Sequence, residues 1–391
     1  MTNSGIYSTV TDRRHVRLWS KGTTKKKRKG FTLAELLIVV AIIAVLVAIG
    51  IPIFTSQLEK SREATDAANI RVQYAQVMAE AITVDGNVNI DEITVRTISD
   101  GDTLALALQS GEINAAYGMA YASYPVFEND NYQFTSVQTS RSFYVQMNYT
   151  SPVVADDAVR EAIAMGIDKD SFVNVLLNGY GYVATGAFPD TVDFGGSTLN
   201  AKTYDPEGAK AVLEAAGWKD SDGDGIREKD GQKLTIKWLT YPSRQELPLL
   251  AESAQSTLKE IGMDVQINAT ADHNSIWKDT SAWDVYVGAN VNCGLGDPTN
   301  FFSTHCLDAS TKNRGQYHSD KMEELAVQLN STFDTAKRNQ IAIEMQQQLL
   351  DDNAFVFCSF LKMSMISQAN VTGLTAHACD YYELTADLDI N

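Results

Sequence analysis

Residues 233–269, KLTIKWLTYPSRQELPLLAESAQSTLKEIGMDVQINA, decide the fold class of this chain. Lys233–Thr240 and Asp264–Ala269 each have the length and composition of a β-strand. Between them, Leu247–Gly262 has the apolar spacing of a helix and ends at a glycine. A helix between two strands favours a sheet with crossover connections, so the body of the protein is predicted to be α/β.

The same mixture of helices and strands extends along the rest of the body. Helices are predicted at Thr103–Leu108, Asp156–Ile167, 206–217, Lys321–Thr332 and Thr335–Leu350, and strands at Phe143–Asn148 and Ala354–Leu361. The start of the third helix has the clearest signal, because Asp205 suits the N-cap and Pro206 suits the first turn.

The charge of the chain is divided between a basic N-terminus and an acidic remainder. The formal net charge is -17, from 49 acidic and 32 basic side chains. Residues 1–30 hold nine basic side chains and one acidic side chain, a net of +8, so the remainder carries −25. Because neutralising phosphates needs clustered Lys and Arg, this balance argues against a general nucleic-acid binder.

An uncharged apolar run, Leu36–Phe54, follows the basic residues. As a helix it would cover about 28 Å, the thickness of a bilayer core. Since the basic cluster precedes the run, the positive-inside rule predicts a cytoplasmic N-terminus and an extracytoplasmic body. The sequence therefore predicts a protein anchored in the membrane through residues 36–54, with its globular part in the periplasm or at the cell surface.

The stretch GFTLAEL at residues 30–36, with Pro52 further along, resembles the class III signal of type IV pilins and pseudopilins. The resemblance implies that residues 1–30 are a basic leader and that a prepilin peptidase cuts after Gly30. Phe31 would then be the N-methylated first residue of the mature chain. A plain signal anchor is the alternative for this segment.

The pilin resemblance also implies a long helix over residues 31–85, apolar at first and amphipathic afterwards. Glu35 lies at the edge of the apolar run, where a carboxylate is costly and needs a partner. In pilins that partner is the N-terminal amine of a neighbouring subunit. Asp85-Gly86-Asn87 ends the helix, and the resemblance to pilins ends with it.

Short strings with distinctive composition follow one another beyond residue 92. In chain order they are SDGD (99–102), LQSGEI (108–113), VREAI (159–163), IDK (167–169), GYG (179–181), AGW (216–218), DGDGIR (222–227), WD (283–284) and GDP (296–298). Their order and spacing resemble solute-binding family 5, the extracytoplasmic receptors of peptide and nickel ABC importers. LTYPSRQELP at residues 239–248 is more similar to the nickel-type branch than to oligopeptide receptors.

The family 5 resemblance implies a partial periplasmic-binding-protein type II fold, preceded by the transmembrane, pilin-like helix. Residues 86–140 would be the end of lobe I, 141–360 lobe II, and 361–391 the return into lobe I. Pilin sequence stands where full-length members have the rest of lobe I, which supplies half of the ligand cleft. Two origins are compatible with this join: a natural fusion, or two gene fragments joined by error. With half a cleft, we expect weak ligand binding or none.

Three residues are candidates for contact with a ligand. Arg141 precedes the strand that crosses between the lobes, and its guanidinium suits bidentate pairing with a ligand carboxylate. Trp283 and Tyr286 suit the wall of the cleft, since aromatic side chains dominate such pockets. A place in the protein core is the more common alternative for each of them.

His305 and His377 are candidates for contact with nickel, which imidazole suits. His305 follows the GDP string, where the resemblance implies a metal-contacting histidine in nickel-type members, and His377 lies where the chain would return to lobe I. Asn292 and Gly296 stand where nickel receptors often have Trp and Tyr. The alternative that neither histidine contacts a metal therefore has at least equal weight. Nickel is expected only within a transported chelate, and no resident cofactor is predicted.

The string DSDGDG at residues 220–225 matches the first half of a calcium loop, with oxygens at alternate positions and glycine at the sixth. The twelfth position, which needs a bidentate glutamate, is Gly231. A polar β-turn is therefore the favoured prediction for this segment.

Two of the four cysteines, Cys293 and Cys306, flank the GDP string. Their spacing suits a local disulfide in an oxidising compartment. Cys358 and Cys379 would form a second bond, although the sequence alone allows three connectivities.

No nucleophile elbow, phosphate loop or zinc-protease motif is present, so no enzymatic activity is predicted. Two functions remain. The first is the substrate-binding component of an ABC importer, which delivers a nickel chelate or a short peptide to the permease subunits. The second is a pilin-like structural subunit whose globular head is derived from such a receptor.

Overall fold

The computed structural model describes most of the acidic body of the protein. The described residues are 90, 92–98, 100–294, 296–379, 384 and 387–391. The predicted leader, the processing residues Gly30, Phe31 and Glu35, and the helix over 31–85 with its apolar run at 36–54 lie outside the described residues. Within the described part, no helix is both long enough and apolar enough to cross a bilayer.

Eleven strands organise the described part of the chain. They are β1 (Ala115–Tyr117), β2 (Tyr132–Met147), β3 (Gly181–Val183), β4 (Glu228–Lys229), β5 (Gln232–Lys233), β6 (Thr235–Thr240), β7 (Asp264–Ala269), β8 (Val285–Val291), β9 (Phe355–Gln368), β10 (Val371–Thr372) and β11 (Asp389–Ile390). Seven of them form one mixed sheet in the order β1-β9-β2-β8-β6-β7, with β3 paired to β9. β4 pairs with β5, and β10 pairs with β11.

The helices of the described part cover both faces of this sheet. They are α1 (Gly101–Gln109), α2 (Tyr124–Phe127), α3 (Asp157–Gly166), α4 (Lys169–Ser171), α5 (Pro206–Ala215), α6 (Glu246–Glu260), α7 (His273–Ile276), α8 (Thr299–His305), α9 (Asp320–Ser331) and α10 (Thr335–Asp351). Aspartate N-caps start four of the longer ones, at Asp100, Asp156, Asp205 and Asp334. Each carboxylate accepts a backbone N–H that the first turn leaves unpaired.

The β6–α6–β7 unit confirms the predicted crossover. β6 and β7 are parallel and in register from Thr235 opposite Asp264 to Thr240 opposite Ala269. β6 is also parallel to β8, where Trp238 lies opposite Val285. The strand begins at Thr235, two residues later than predicted, because Lys233 belongs to the β4–β5 hairpin.

The sheet separates two hydrophobic clusters because successive side chains of a strand point to opposite faces. Phe143, Val145 and Met147 of β2 belong to the cluster covered by α3, α5 and α6. Tyr144, between them, belongs to the cluster covered by α8, α9 and α10. The second face carries the polar side chains discussed below.

Two long strands, β2 and β9, run antiparallel through both parts of the sheet. At 16 residues, β2 is roughly 50 Å long. The pairing of β2 with β9 is irregular between Gln138 and Ser142, where Thr139 Oγ1 donates to Leu361 O at 3.1 Å. This irregularity lies at the predicted boundaries 140/141 and 360/361. The division into lobes stays a prediction.

Both long strands exceed their predicted bounds. The sequence predicted strands only at Phe143–Asn148 and Ala354–Leu361, whereas β2 begins at Tyr132 and β9 ends at Gln368. The extensions include serines such as Ser364, which is buried in the sheet. Polar residues inside a strand weaken the apolar pattern that predicts it, so the extensions were missed.

Candidate ligand-binding site

One edge of the sheet collects the ends of several strands. β6 and β8 are parallel and end at Thr240 and Val291, and β2 is antiparallel to β8 with Arg141 opposite Val291. Ligands of open α/β sheets bind beyond the carboxyl ends of the strands. We call this edge, with Arg141, residues 241–246 and Asn292, the carboxyl edge, and it is the candidate site.

The carboxyl edge has two arginines that act on the same carboxyl group. Burial raises the pKa of Glu246, the first residue of α6, while Arg244 and Arg141 pull it in the opposite direction. The backbone N–H of Arg141 donates to Thr139 Oγ1 at 3.2 Å, within the irregular segment of β2. The structure therefore places Arg141 at the edge where a ligand is expected. Contact with a ligand carboxylate stays a prediction.

Asn292 fixes the loop that follows β8. Its amide nitrogen Nδ2 donates to Ser142 Oγ and to Ala187 O, both at 2.8 Å. Its backbone N–H donates to Ser140 O at 3.0 Å. Because the side chain is fully buried and its donors are used, Asn292 shapes the carboxyl edge from within.

Trp283 and Tyr286 are packed inside the protein. Their exposed fractions are 1% and 2%. Trp283 Nε1 donates to Trp277 O at 3.0 Å, and the Tyr286 hydroxyl lies 3.1 Å from His273 Nδ1. In the structure, both rings therefore contact other residues inside the protein and are not exposed on the wall of a cleft. Direct contact of either ring with a ligand stays a prediction.

His305 is a buried, neutral imidazole. Its exposed fraction is 1%, and burial together with the cations Arg314 and Lys312 lowers its pKa to about 3. Nδ1 lies 3.3 Å from Phe301 O, so Nδ1 carries the proton and donates. Nε2 is buried without a hydrogen-bond partner. This lone pair suits a metal, but the two neighbouring cations disfavour one.

His377 lies in another part of the described chain. Its Nε2 is 3.3 Å from Thr375 Oγ1, and the adjacent Ala376 N donates to Thr135 Oγ1 on the first half of β2. His305 instead contacts Tyr144 and Phe301 in the cluster under α8. Neither histidine belongs to a group of three potential metal ligands among the described residues. A nickel contact by either one stays a prediction.

Arg314 is a buried charged residue that the sequence did not single out. Its exposed fraction is 9%, and its guanidinium carbon lies 4.1 Å from the centroid of the Tyr286 ring. It stands in TKNRGQYHSD, a polar stretch that indicates an exposed loop. No local sequence pattern predicts that one arginine in such a stretch is buried, so the burial of Arg314 is known only from the structure.

A family model described as bacterial extracellular solute-binding proteins, family 5 Middle, matches residues 72–313, more than half of the chain. The chain belongs to family 5 of the bacterial extracellular solute-binding proteins. A second model, the prokaryotic N-terminal methylation motif, matches residues 25–51. Both predicted resemblances are confirmed. The family 5 match begins before residue 92, inside the segment assigned to the pilin-like helix.

Curated relatives of this family 5 protein include two transport proteins. The nickel-binding periplasmic protein of Escherichia coli strain K12 is 27% identical over 290 residues, which are 71% of this chain and 55% of the relative. The oligopeptide-binding protein AppA of Bacillus subtilis strain 168 is 29% identical over 202 residues, 50% of this chain and 36% of the relative. The chain thus spans about half the length, or less, of these relatives.

Solved structures show the same fold. NikA from Staphylococcus aureus, in complex with Ni(L-His)2, has a TM-score of 0.68 at 22% identity, covering 79% of this chain and 64% of that one. AppA from Bacillus subtilis, in complex with a nonapeptide, has a TM-score of 0.67 at 21% identity, covering 75% and 59%. The described part of the family 5 protein therefore has the predicted α/β, type II solute-binding fold.

In the acidic loop at residues 220–225, the carboxylate oxygens accept hydrogen bonds from backbone N–H groups of the loop and contact a nearby lysine. Asp220 accepts the backbone N–H groups of Gly223 and Gly225 at 2.7 and 3.0 Å. The ammonium of Lys233 lies 3.3 Å from Asp222 and also contacts Asp224. The segment leads into the β4–β5 hairpin, as a polar turn would, and not into a helix.

The predicted disulfide between Cys293 and Cys306 is not formed in the structure, where both are free thiols. Cys306 is buried in the cluster under α8, and Cys293 packs against that cluster. Burial raises the pKa of both thiols, so both are held protonated. The spacing of the two cysteines in the sequence suggested that they lie close together, but in the structure both side chains pack against apolar residues.

Proposed function

We propose that this family 5 protein binds a solute outside the cytoplasm and delivers it to the permease of an ABC importer. The match to the family over residues 72–313 carries the proposal. The carboxyl edge supports it, because its arginines and polar loops lie where solutes bind in open α/β sheets. The methylation motif at residues 25–51 supports a membrane tether through residues 36–54.

The proposed solute is a nickel chelate or a short peptide. Relatives named for each of these ligands match the chain with similar identities, 27% and 29%. Both ligand classes have carboxylates, which suit the positive charge of Arg141 and Arg244 at the carboxyl edge.

Isothermal titration calorimetry of the purified full-length chain in detergent tests this function. The titrants are nickel with excess L-histidine, and a mixture of di- to pentapeptides. We expect weak but saturable binding of one of them, since only half of the cleft is predicted to be present, and we expect Arg141→Gln to weaken it about tenfold further, because a charge-assisted contact is lost. Lys210→Gln, a change at a half-buried lysine of α5 that pairs with Glu207, is the matched control. Lack of saturable binding to either titrant would contradict the proposal.

The methylation motif favours a second candidate function, a pilin-like structural subunit. In this case prepilin peptidase cleaves after Gly30, and N-methyl-Phe31 is present in a filament. Mass spectrometry of the N-terminal peptide, from membranes and from sheared filaments, separates the two functions. Methyl-Phe31 confined to membranes supports a tether, and its presence in filaments supports the structural role. An uncut leader, or a cut beyond Pro52, contradicts processing altogether.

A further inference from the structure

Arg314 is held between aromatic rings on the second face of the sheet. Its guanidinium carbon lies 4.1 Å from the centroid of Tyr286 and 5.4 Å from that of Trp277. The Tyr286 ring lies along β8 beside Gly288, where an added Cβ would be 2.9 Å from Tyr286 Cε1. Such contacts over ring faces stabilise a cation. They leave the in-plane N–H groups of the guanidinium available.

Those in-plane groups are only partly used. Nη1 donates to Gln146 Oε1 at 3.5 Å, a long hydrogen bond, and Nε is buried without a partner. No ion pair among the described residues includes Arg314. A buried charge is normally paired, because removing it from water is costly.

Lys312, two residues before Arg314 in the chain, is a second cation without a carboxylate partner in the described part of the chain. Gln146 joins the two segments, since its Nε2 donates to Lys312 O at 3.1 Å. Burial and the charge of Arg314 both lower the pKa of Lys312, and no ion pair in the described part includes Lys312. We call Gln146, Trp277, Tyr286, Lys312 and Arg314 the cationic cluster. Two adjacent cations repel each other unless an anion joins them.

We infer that the cationic cluster is a binding site for a carboxylate of the transported solute, held by Arg314 with Lys312 beside it. The planar guanidinium matches a carboxylate bidentately, and the unpaired Nε lies on an edge suited to this contact. The inference rests on the proposed function, which it extends by requiring an anionic solute. It also gives Tyr286 a role, which is to position Arg314.

Two proposed solutes supply this chemistry. A short peptide has a terminal carboxylate, and a nickel–histidine complex has the carboxylates of its histidines. Amide derivatives remove the negative charge from each ligand and leave its size nearly unchanged. The titrants are therefore trialanine, trialanine amide, nickel with L-histidine and nickel with histidinamide, each added to the full-length chain in detergent.

We expect at least one free carboxylate ligand to bind about tenfold or more tightly than its amide, because a charge-assisted contact is removed. Arg314→Met should abolish this preference, and Arg314→Lys should retain part of it. If trialanine binds more tightly than its amide, the bound carboxylate is a peptide terminus. If nickel with L-histidine binds more tightly than nickel with histidinamide, the bound carboxylate belongs to the chelate. A preference that survives in Arg314→Met would overturn the inference and leave the proposed function in place.

Thermal unfolding supplies a readout that needs no ligand. Arg314→Met keeps the packing stem and removes an unpaired buried charge, so its midpoint should equal or exceed that of the wild type. Arg227→Met is the matched control, because the Arg227 guanidinium donates to Ile261 O at 3.0 Å and to Trp218 O at 2.9 Å. Its loss should lower the midpoint.

The two measurements separate the possible failures. A midpoint for Arg314→Met that falls as far as that of Arg227→Met would make Arg314 a structural residue and overturn the inference alone. Absence of binding to all four titrants by the wild type would contradict the proposed function, and the inference with it.

Discussion

The acidic loop at residues 220–225 and the cationic cluster around Arg314 differ in whether their charged groups have partners. The loop carboxylates are exposed, accept backbone N–H groups and contact Lys233. Arg314 is 9% exposed and has no carboxylate partner in the described part of the chain. The loop has the sequence of a binding site but uses its oxygens internally. The buried, unpaired charge is the stronger indicator of a ligand.

Asp284 sharpens this comparison, because it is a buried carboxylate that has two short hydrogen bonds from neutral donors, whereas Arg314 has one long hydrogen bond. It is 5% exposed, accepts Ser151 Oγ at 2.6 Å and accepts Lys237 N at 2.7 Å. Asp284→Ala should lower the free energy of unfolding by about 3 kcal/mol, because both donors would stay buried without an acceptor. Denaturant unfolding of the two chains measures this.

Asp284→Asn is the control for that experiment. Its side-chain carbonyl oxygen still accepts a hydrogen bond from one of the two donors, so this variant should lose less of the free energy of unfolding. Equal stability of Asp284→Ala and the wild type would break the comparison, because a paired buried charge would then matter as little as an unpaired one.

His305 tests whether burial, together with the neighbouring cations Arg314 and Lys312, keeps its imidazole neutral in the folded state. Its folded pKa of about 3 lies below the ordinary 6.5, so its stabilising effect is complete above about pH 6.5 and is lost as pH falls towards 3. Below about pH 6, the free energy of unfolding of the wild type should therefore fall more steeply than that of His305→Phe, by about 1.4 kcal/mol per pH unit. Denaturant unfolding near pH 7 and near pH 5 gives the slopes.

The exposed His318 is the control for this pH dependence. The hydrogen bond that His318 donates to Asp308, together with the charge of Asp308, raises the pKa of His318, so its stabilising effect is present at low pH and is lost as pH rises. His318→Phe should leave the acid-side slope at least as steep as in the wild type. Parallel slopes for the wild type and His305→Phe would show that His305 is protonated in the folded state.

The acidic loop should give the smallest effect. Asp224→Asn removes one exposed carboxylate that contacts Lys233, and we expect an unchanged thermal midpoint because exposed pairs contribute little. Calcium should likewise leave the midpoints of the wild type and Asp224→Asn equal, because the loop oxygens already have partners. A rise with calcium in the wild type alone would reverse the comparison and make the loop a cation site.

The six helices predicted in the body agree with the structure to within two residues at each end, whereas the short helices α2, α4, α7 and α8 were not predicted. The signals of the predicted helices are local: Asp205 caps the helix that begins at Pro206, and its carboxylate accepts Gly208 N at 2.9 Å. The crossover over residues 233–269 was predicted for the same reason, since apolar periodicity distinguishes its strands from its helix. The long strands were underpredicted because their extensions contain buried polar residues such as Ser364 and Ser367, which break this pattern.

The site residues were predicted less completely. Arg141 lies within β2 at the carboxyl edge, opposite Val291, and its contact with a ligand stays a prediction. Residue type alone did not distinguish a cleft wall from the protein core, so the sequence left both places open for Trp283 and Tyr286, and the structure shows both side chains buried. Arg314 was missed because its burial depends on rings that are contributed by other segments.

The sequence by itself determined the fold class, the family and the boundaries of the longer helices, because these follow from residues a few positions apart. The tertiary structure alone decided which charges have partners. Asp284 meets Ser151 133 positions away, and Arg314 meets Gln146 168 positions away. Such meetings depend on how the strands and loops pack, and local pattern does not encode them. The physical reason is that burial cost and pairing depend on every group that the fold brings together.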